Sequence, residues 1–242
     1  MKTWLFSLAV LAPISVRAQE VAPVEIDFDL TYASKYVWRG LAINNQGVWQ
    51  PSLTLSSDSW FFNFWGNFDW TSSNGMERRF TEFDYTFGYQ LPSFGKNAIS
   101  VGATIYQFPG ASANDTTELW LSYSLGSNFG ASIDIYQDID VHEGLYISLS
   151  GSHPLTIADP TSSLSLDASL GWGDRKFNNF TYGNNRAAFA DYYIGLSWAK
   201  SMNDHLSLNA ALGATGFLDD DQLMGQPNRS NLTISFGAGW RF

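Results

Sequence analysis

The sequence predicts an all-β protein: a transmembrane antiparallel up-and-down β-barrel of about twelve strands, following a cleaved signal peptide. Three observations predict it. Segments of about ten residues alternate apolar and polar side chains, the period of a strand with one apolar face. Charged residues are 15% of the 242 and aromatics 16%, whereas soluble domains carry about 25% charged residues. The connectors alternate between short and long, the rhythm of barrels with tight periplasmic turns and long outer loops.

The first strand, Val24–Tyr32, sets Val24, Ile26, Phe28, Leu30 and Tyr32 against Glu25, Asp27, Asp29 and Thr31. Eleven more follow: Trp49–Leu55, Trp60–Trp70, Glu82–Tyr89, Ile99–Ile105, Glu118–Leu125, Phe129–Tyr136, Leu145–Ser150, Leu164–Trp172, Asp191–Trp198, Leu206–Gly213 and Leu232–Phe242. An even count suits a single-chain bacterial barrel. Short turns are expected at Asp58, Pro92–Lys96, Gly126-Ser127 and Lys200–Asp204. Longer loops are expected at Ser34–Gly47, Thr71–Arg78, Gly173–Ala187 and Phe217–Ser230. The rhythm breaks at Pro154–Ser162, which reads as a long turn, and at Asp138–Gly144, which reads as a short loop.

Residues 1–18 read as the signal peptide. Lys2 forms a short basic region, Trp4–Ser15 is apolar, and Val16-Arg17-Ala18 resembles a cleavage site. The apolar run is too short to span about 30 Å of hydrocarbon as a helix. The barrel domain is then 19–242. Cleavage takes away two bases and no acid from a net charge of −10, so the chain becomes more acidic still. An acidic chain does not suit nucleic acid, which calls for a basic face. Without cysteine, a disulfide scaffold and thiolate metal sites are excluded. No phosphate loop or metal-ligand spacing occurs, so no cofactor and no metal are expected.

Alternation alone does not say which face points outward. Twelve strands enclose a lumen too wide for side chains to fill, since about eight already suffice to fill one. The polar face is Ser, Thr, Asn, Gly and Asp with little Lys, unlike a soluble surface. The apolar face is therefore read as lipid-facing, with girdle aromatics at Trp60, Trp70, Tyr89, Phe129, Trp172, Trp198, Trp240 and Phe242. The expected setting is the bacterial outer membrane, with its lipid and lipopolysaccharide as partners.

The inner face then carries Glu25, Asp27, Asp29, Asp69, Glu82, Asp84, Glu118, Asp134, Asp167 and Asp191. Acid rings favour cations, so a weak cation preference is one expectation; the alternative is that these acids brace the wall through bases and waters. Closure brings the last strand beside the first, so Arg241 and Glu25 are expected to form a seam ion pair. Inward Phe61, Trp65, Tyr106, Trp120, Tyr136, Tyr146 and Tyr193 either line a stacking path or simply narrow the lumen. Asp219-Asp220-Asp221 reads as a solvated loop or a divalent-cation contact. Three histidines, His142, His153 and His205, single out no nucleophile, and no enzyme is expected.

The stretch Thr31-Tyr32-Ala33-Ser34-Lys35-Tyr36-Val37-Trp38-Arg39-Gly40 resembles the opening of the TorF-type putative porins, a proteobacterial outer-membrane family. In order follow Gly66-Asn67-Phe68-Asp69, Glu82-Phe83-Asp84 with Gly88-Tyr89, Tyr106-Gln107-Phe108-Pro109-Gly110, and Glu118; the resemblance covers roughly residues 24–125. Beyond that, only the strand pattern and Gly239-Trp240-Arg241-Phe242 agree. The resemblance implies a barrel and suggests a diffusion pore, and it supplies no proven substrate and no catalytic residues. It also implies that periplasmic chaperones and the barrel-insertion machinery handle the chain, with Trp240 and Phe242 as the insertion signal. If alternation continues past Tyr32, Tyr36 and Trp38 face out, while Lys35 and Arg39 face in at the outer mouth, Arg39 opposite acids such as Asp69 or Glu82. Three functions stay open: a passive pore for small hydrophilic solutes or ions, a structural or adhesive barrel with a plugged lumen, and an enzyme acting at the outer rim.

Overall fold

The computed structural model describes residues 23–110, 113–126, 129–218 and 228–242. The expected signal peptide, residues 1–18, and the Asp219–Asp221 run lie outside the described residues. Twelve antiparallel strands close into one barrel. They are β1 (Glu25–Ala33), β4 (Val48–Ser57), β5 (Trp60–Asp69), β6 (Arg79–Gln90), β7 (Ala98–Gln107), β8 (Thr116–Ser124), β9 (Ser132–Asp138), β10 (Leu145–Leu155), β11 (Ser162–Gly173), β12 (Ala188–Ser201), β13 (Leu206–Phe217) and β14 (Ser230–Arg241). Each expected alternating segment coincides with one of these strands. Two further strands, β2 (Tyr36–Trp38) and β3 (Leu41–Asn44), form a hairpin outside the barrel sheet, and one helix, α1 (Arg175–Tyr182), lies between β11 and β12.

The apolar face points outward. Along β8, Leu119 and Leu121 are 47% and 38% exposed while Glu118, just before them, is 2% exposed. Phe87, Ile105, Leu149, Ile194, Leu232 and Ile234 continue the outward belt. Trp60, Trp70, Tyr89, Phe129, Trp240 and Phe242 are exposed on the girdles. Inward, large rings lie over glycines. Phe61 covers Gly88 and Trp120 covers Gly102, where an added Cβ would sit 2.2 Å from ring atoms; the two rings stack 6.1 Å apart. Glycine here makes room for an inward aromatic to lie flat on the wall.

Four expectations need correction. β1 does not continue its alternation past Ala33: Ser34 donates its N–H to Ile234 O and accepts from Ile234 N–H, and the chain then turns into the lumen. β10 runs through Pro154 to Leu155, which shortens the connector before β11. The Gly173–Ala187 loop holds a helix, capped by Asp174, whose carboxylate accepts the Phe177 N–H, and ended by Gly183 at φ 70°. The seam is set one step along the inner face from the expected position. Asp27 faces Arg241 and their side chains pair at 2.8 Å, whereas Glu25 faces Ser56 of β4. Phe242 N–H donates to Ile26 O, and this register carries Arg241 past Glu25 to Asp27.

Candidate functional site: the barrel lumen

The lumen is crossed by the β2–β3 hairpin. Its two-residue turn is Arg39-Gly40, at φ 46° and 79°, and Trp38 pairs with Leu41 across it. Positive φ at both central residues is the primed turn that matches strand twist. Gly40 is required twice over: for its φ, and because a Cβ would lie 2.8 Å from Asp191 Cβ and 3.1 Å from Gly216 O on the wall. The hairpin leaves the barrel between β1 and β4 and reaches β8, which is five strands away in one direction and seven in the other. It therefore spans close to a full diameter.

Arg39 fixes the tip. Its guanidinium makes two 2.8 Å bonds to the Glu118 carboxylate, and both side chains are below a tenth exposed. Around it stand Tyr146 at 4.2 Å, Trp38 at 4.4 Å, Tyr136 at 4.8 Å and Phe177 at 5.3 Å from the ring centroids. Tyr106 O–H donates at 2.8 Å to Glu118 Oε2, the oxygen that also accepts from Arg39 Nη2. Tyr182 O–H donates to the Arg39 carbonyl at 2.6 Å. A buried ion pair stabilises only when its geometry is good and its remaining groups are satisfied; bidentate contact, a second donor on Glu118 and ring faces over the cation meet that condition. Lower on the hairpin, Tyr36 O–H donates to Glu82 at 2.9 Å.

Helix α1 braces the same tip. Phe177 and Tyr182 are buried with Tyr146, Ala190 and Phe217, and Trp38 and Leu41 of the hairpin pack against them. The outer half of the lumen thus holds a small core of its own. The periplasmic half keeps a polar, hydrogen-bonded wall. Asp134 takes bonds from Ser122 and Ser132, and Asp167 from Ser152, Ser165 and Ser197.

The residues singled out from the sequence separate into groups. Lys35, Arg39 and Asp191 border a cavity of about 550 Å³ on the periplasmic side of the hairpin. Glu82 and Glu118 border a second cavity of about 570 Å³ on the outer side. Tyr36, Trp38 and Tyr106 belong to both, so the hairpin divides one lumen into two chambers. Asp69 is fully buried and bonded by Asn67. Asp84 meets Glu82. Arg39 pairs with Glu118 rather than with Asp69 or Glu82, because the hairpin carries it past β5 and β6. Tyr36 and Trp38 point into the lumen, not to lipid: folding inward gives Tyr36 a carboxylate partner and Trp38 the Phe177 ring, 6.3 Å away.

Sequence reasoning did not find the Phe177–Tyr182 brace. Its signal was present, since Asp174 and Gly183 are a helix start and stop that flank eight residues. The histidines serve structure. His142 Nδ1 accepts Gly144 N–H and its Nε2 lies 3.3 Å from Asp138, so both ring nitrogens are engaged. Burial pushes the His142 pKa below its ordinary value, against the opposing pull of Asp138. Asp138 also accepts the N–H groups of Asp140, His142 and Glu143, closing the loop between β9 and β10. Among the described residues no group of acids and histidines is arranged to hold a metal.

A closed barrel with a carbon-rich belt outside and polar wall groups inside is a membrane-spanning β-barrel, and solved structures place it in the outer-membrane, porin-type fold class. An outer membrane channel from Pseudomonas putida F1 matches with TM-score 0.56 and 13% identity, over 96% of this chain and 100% of that one. The NanC porin matches with TM-score 0.55 and 10% identity, over 89% and 98%. The KdgM porin, solved with disordered oligogalacturonate, matches with TM-score 0.52 and 9% identity, over 90% and 99%. At these identities the likeness is one of fold. No protein-family model matches the sequence, and no curated protein matches it.

Proposed function

We propose that this chain is an outer-membrane channel for small hydrophilic solutes or ions, narrowed by its inward hairpin. The observation that carries the reading is the pair of chambers, about 550 and 570 Å³, on either side of the hairpin inside one continuous barrel wall. A barrel needing only to hold itself together has no use for a lumen this wide and polar. The channel and porin titles of its fold neighbours and the motif resemblance to TorF-type putative porins support the same reading. The acids of the periplasmic half, with Arg241 as the base at that mouth, support a weak preference for cations.

A second reading is supported by the same hairpin: a structural barrel whose lumen is plugged by the Arg39–Glu118 tie. Swelling of proteoliposomes separates the two. A channel gives slow influx of pentose-sized sugars and exclusion of oligosaccharides. A plugged barrel gives swelling no faster than empty vesicles at any solute size. Reversal potentials under a salt gradient test the ionic preference, and an anion-selective potential rules the cation preference out.

A further inference from the structure

The outer chamber differs in chemistry from the rest of the lumen. Its walls are mainly carbon, from Trp38, Leu41, Ile43, Phe108, Val141 and Phe180. At about 570 Å³ it lies within the range of roughly 300–1,000 Å³ of small-molecule sites, which combine apolar walls with a few placed polar groups. Here neutral groups such as Asn74, Asn114, Thr116 and His142 stand beside two acids, Glu82 and Glu118. Glu82 is 6% exposed, borders the chamber, and takes a hydrogen bond from Tyr36. Beneath it Asp84 meets Glu82, and Asp84 Oδ1 is buried with no hydrogen-bond partner. Neither carboxyl has a Lys or Arg in ion-pair contact among the described residues. The other acid of the chamber, Glu118, is occupied by Arg39. No Lys or Arg borders the chamber among the described residues.

We propose that this outer chamber binds a small amphipathic cation: an aromatic or short alkyl body against the carbon walls, with an ammonium head donating to Glu82. The charge of the lining excludes an anionic ligand, which would meet Glu82 and Glu118 with no Lys or Arg on the described walls. An ammonium group adds to Glu82 a charged donor beyond the Tyr36 O–H, and the aromatic side chains of Tyr36 and Trp38 border the same chamber. This site is on the outer face of the hairpin, so binding does not depend on the channel conducting.

The test uses the full-length barrel in lipid nanodiscs and a matched set of probes: 2-phenylethylammonium, 2-phenylethanol and phenylacetate. Calorimetric titration is expected to give saturable one-to-one binding of 2-phenylethylammonium. The alcohol should bind about tenfold or more weakly, as for loss of a charge-assisted bond, and phenylacetate not at all. Glu82→Gln should bring the ammonium down to the level of the alcohol. Ile43→Trp, at a residue 39% exposed, leaves the Glu82–Tyr36 bond in place, fills the chamber and should abolish binding of every probe. Heat-modifiable migration on gels reports that each variant remains a folded barrel. No saturable binding to the wild type overturns the proposal. So does equal affinity for ammonium and alcohol, or undiminished binding in either folded variant.

Discussion

Arg39 brings a permanent charge to a place nearly closed to water. What makes this tolerable is the sum of a bidentate carboxylate, four aromatic faces and the acceptance of Tyr182 O–H at its own carbonyl. Removing one partner of a buried pair leaves the other charge uncompensated, at a cost of roughly 3–5 kcal/mol. Arg39→Ala is therefore expected to make opening of the hairpin easier by about that amount, read from amide exchange of Val37 to Ile43. Arg39→Lys loses the fork geometry and the planar stacking, and should recover less than half of the loss. Full protection of these amides in Arg39→Ala contradicts the assignment. His142 gives a pH dependence at the same scale. Its folded pKa is depressed, so its stabilising share is complete above the ordinary histidine value near 6.5 and is lost as pH falls toward the folded value. Protonation of Nδ1 also breaks its bond from Gly144 N–H. The protection factor of the Gly144 amide, taken against its intrinsic exchange rate, should thus fall as pH is lowered below about 6.5, and His142→Gln should flatten that dependence.

At the scale of elements, the twelve wall strands were legible because lipid on one side and a wet lumen on the other impose a period of two on every strand. The hairpin and the helix were not, because their environment inside the barrel is neither. Counting the alternation of β1 on past Tyr32, as a strand extension, sends Tyr36 and Trp38 to the lipid. Only the Glu82 partner for Tyr36, 46 positions on in the chain and invisible to local pattern, decides for the lumen. Gly40→Ala tests the hairpin as an element. It demands left-handed backbone from a residue with a Cβ and drives that Cβ toward Asp191. It is expected to displace the tip, with a higher ion conductance than wild type. Asp174→Ala removes the α1 cap at about 1 kcal/mol and should loosen Phe177 and Tyr182 without disturbing the wall, visible as faster exchange in α1 alone.

At the scale of the whole molecule, closure depends on β1 meeting β14. The sequence pattern told which strands meet and on which face Arg241 lies. It did not tell the register, since Glu25, Asp27 and Asp29 all share that face; the backbone bond from Phe242 N–H to Ile26 O selects Asp27. Phe242 itself is 75% exposed to the lipid side. Deleting it, or Phe242→Asp, is expected to reduce the amount of heat-modifiable barrel in the outer membrane while export continues; undiminished barrel contradicts that role. The central claim is that one lumen runs through the barrel and that the hairpin obstructs it. Ala33 and Val48 are register partners, so Ser34–Gly47 can be replaced by an Asn-Gly turn that closes β1 onto β4. The most direct measurement is single-channel conductance of that variant beside the wild type in planar bilayers. The structure predicts small or intermittent steps for the wild type and a severalfold larger, steady conductance for the variant. A folded variant that conducts no better than the wild type contradicts it.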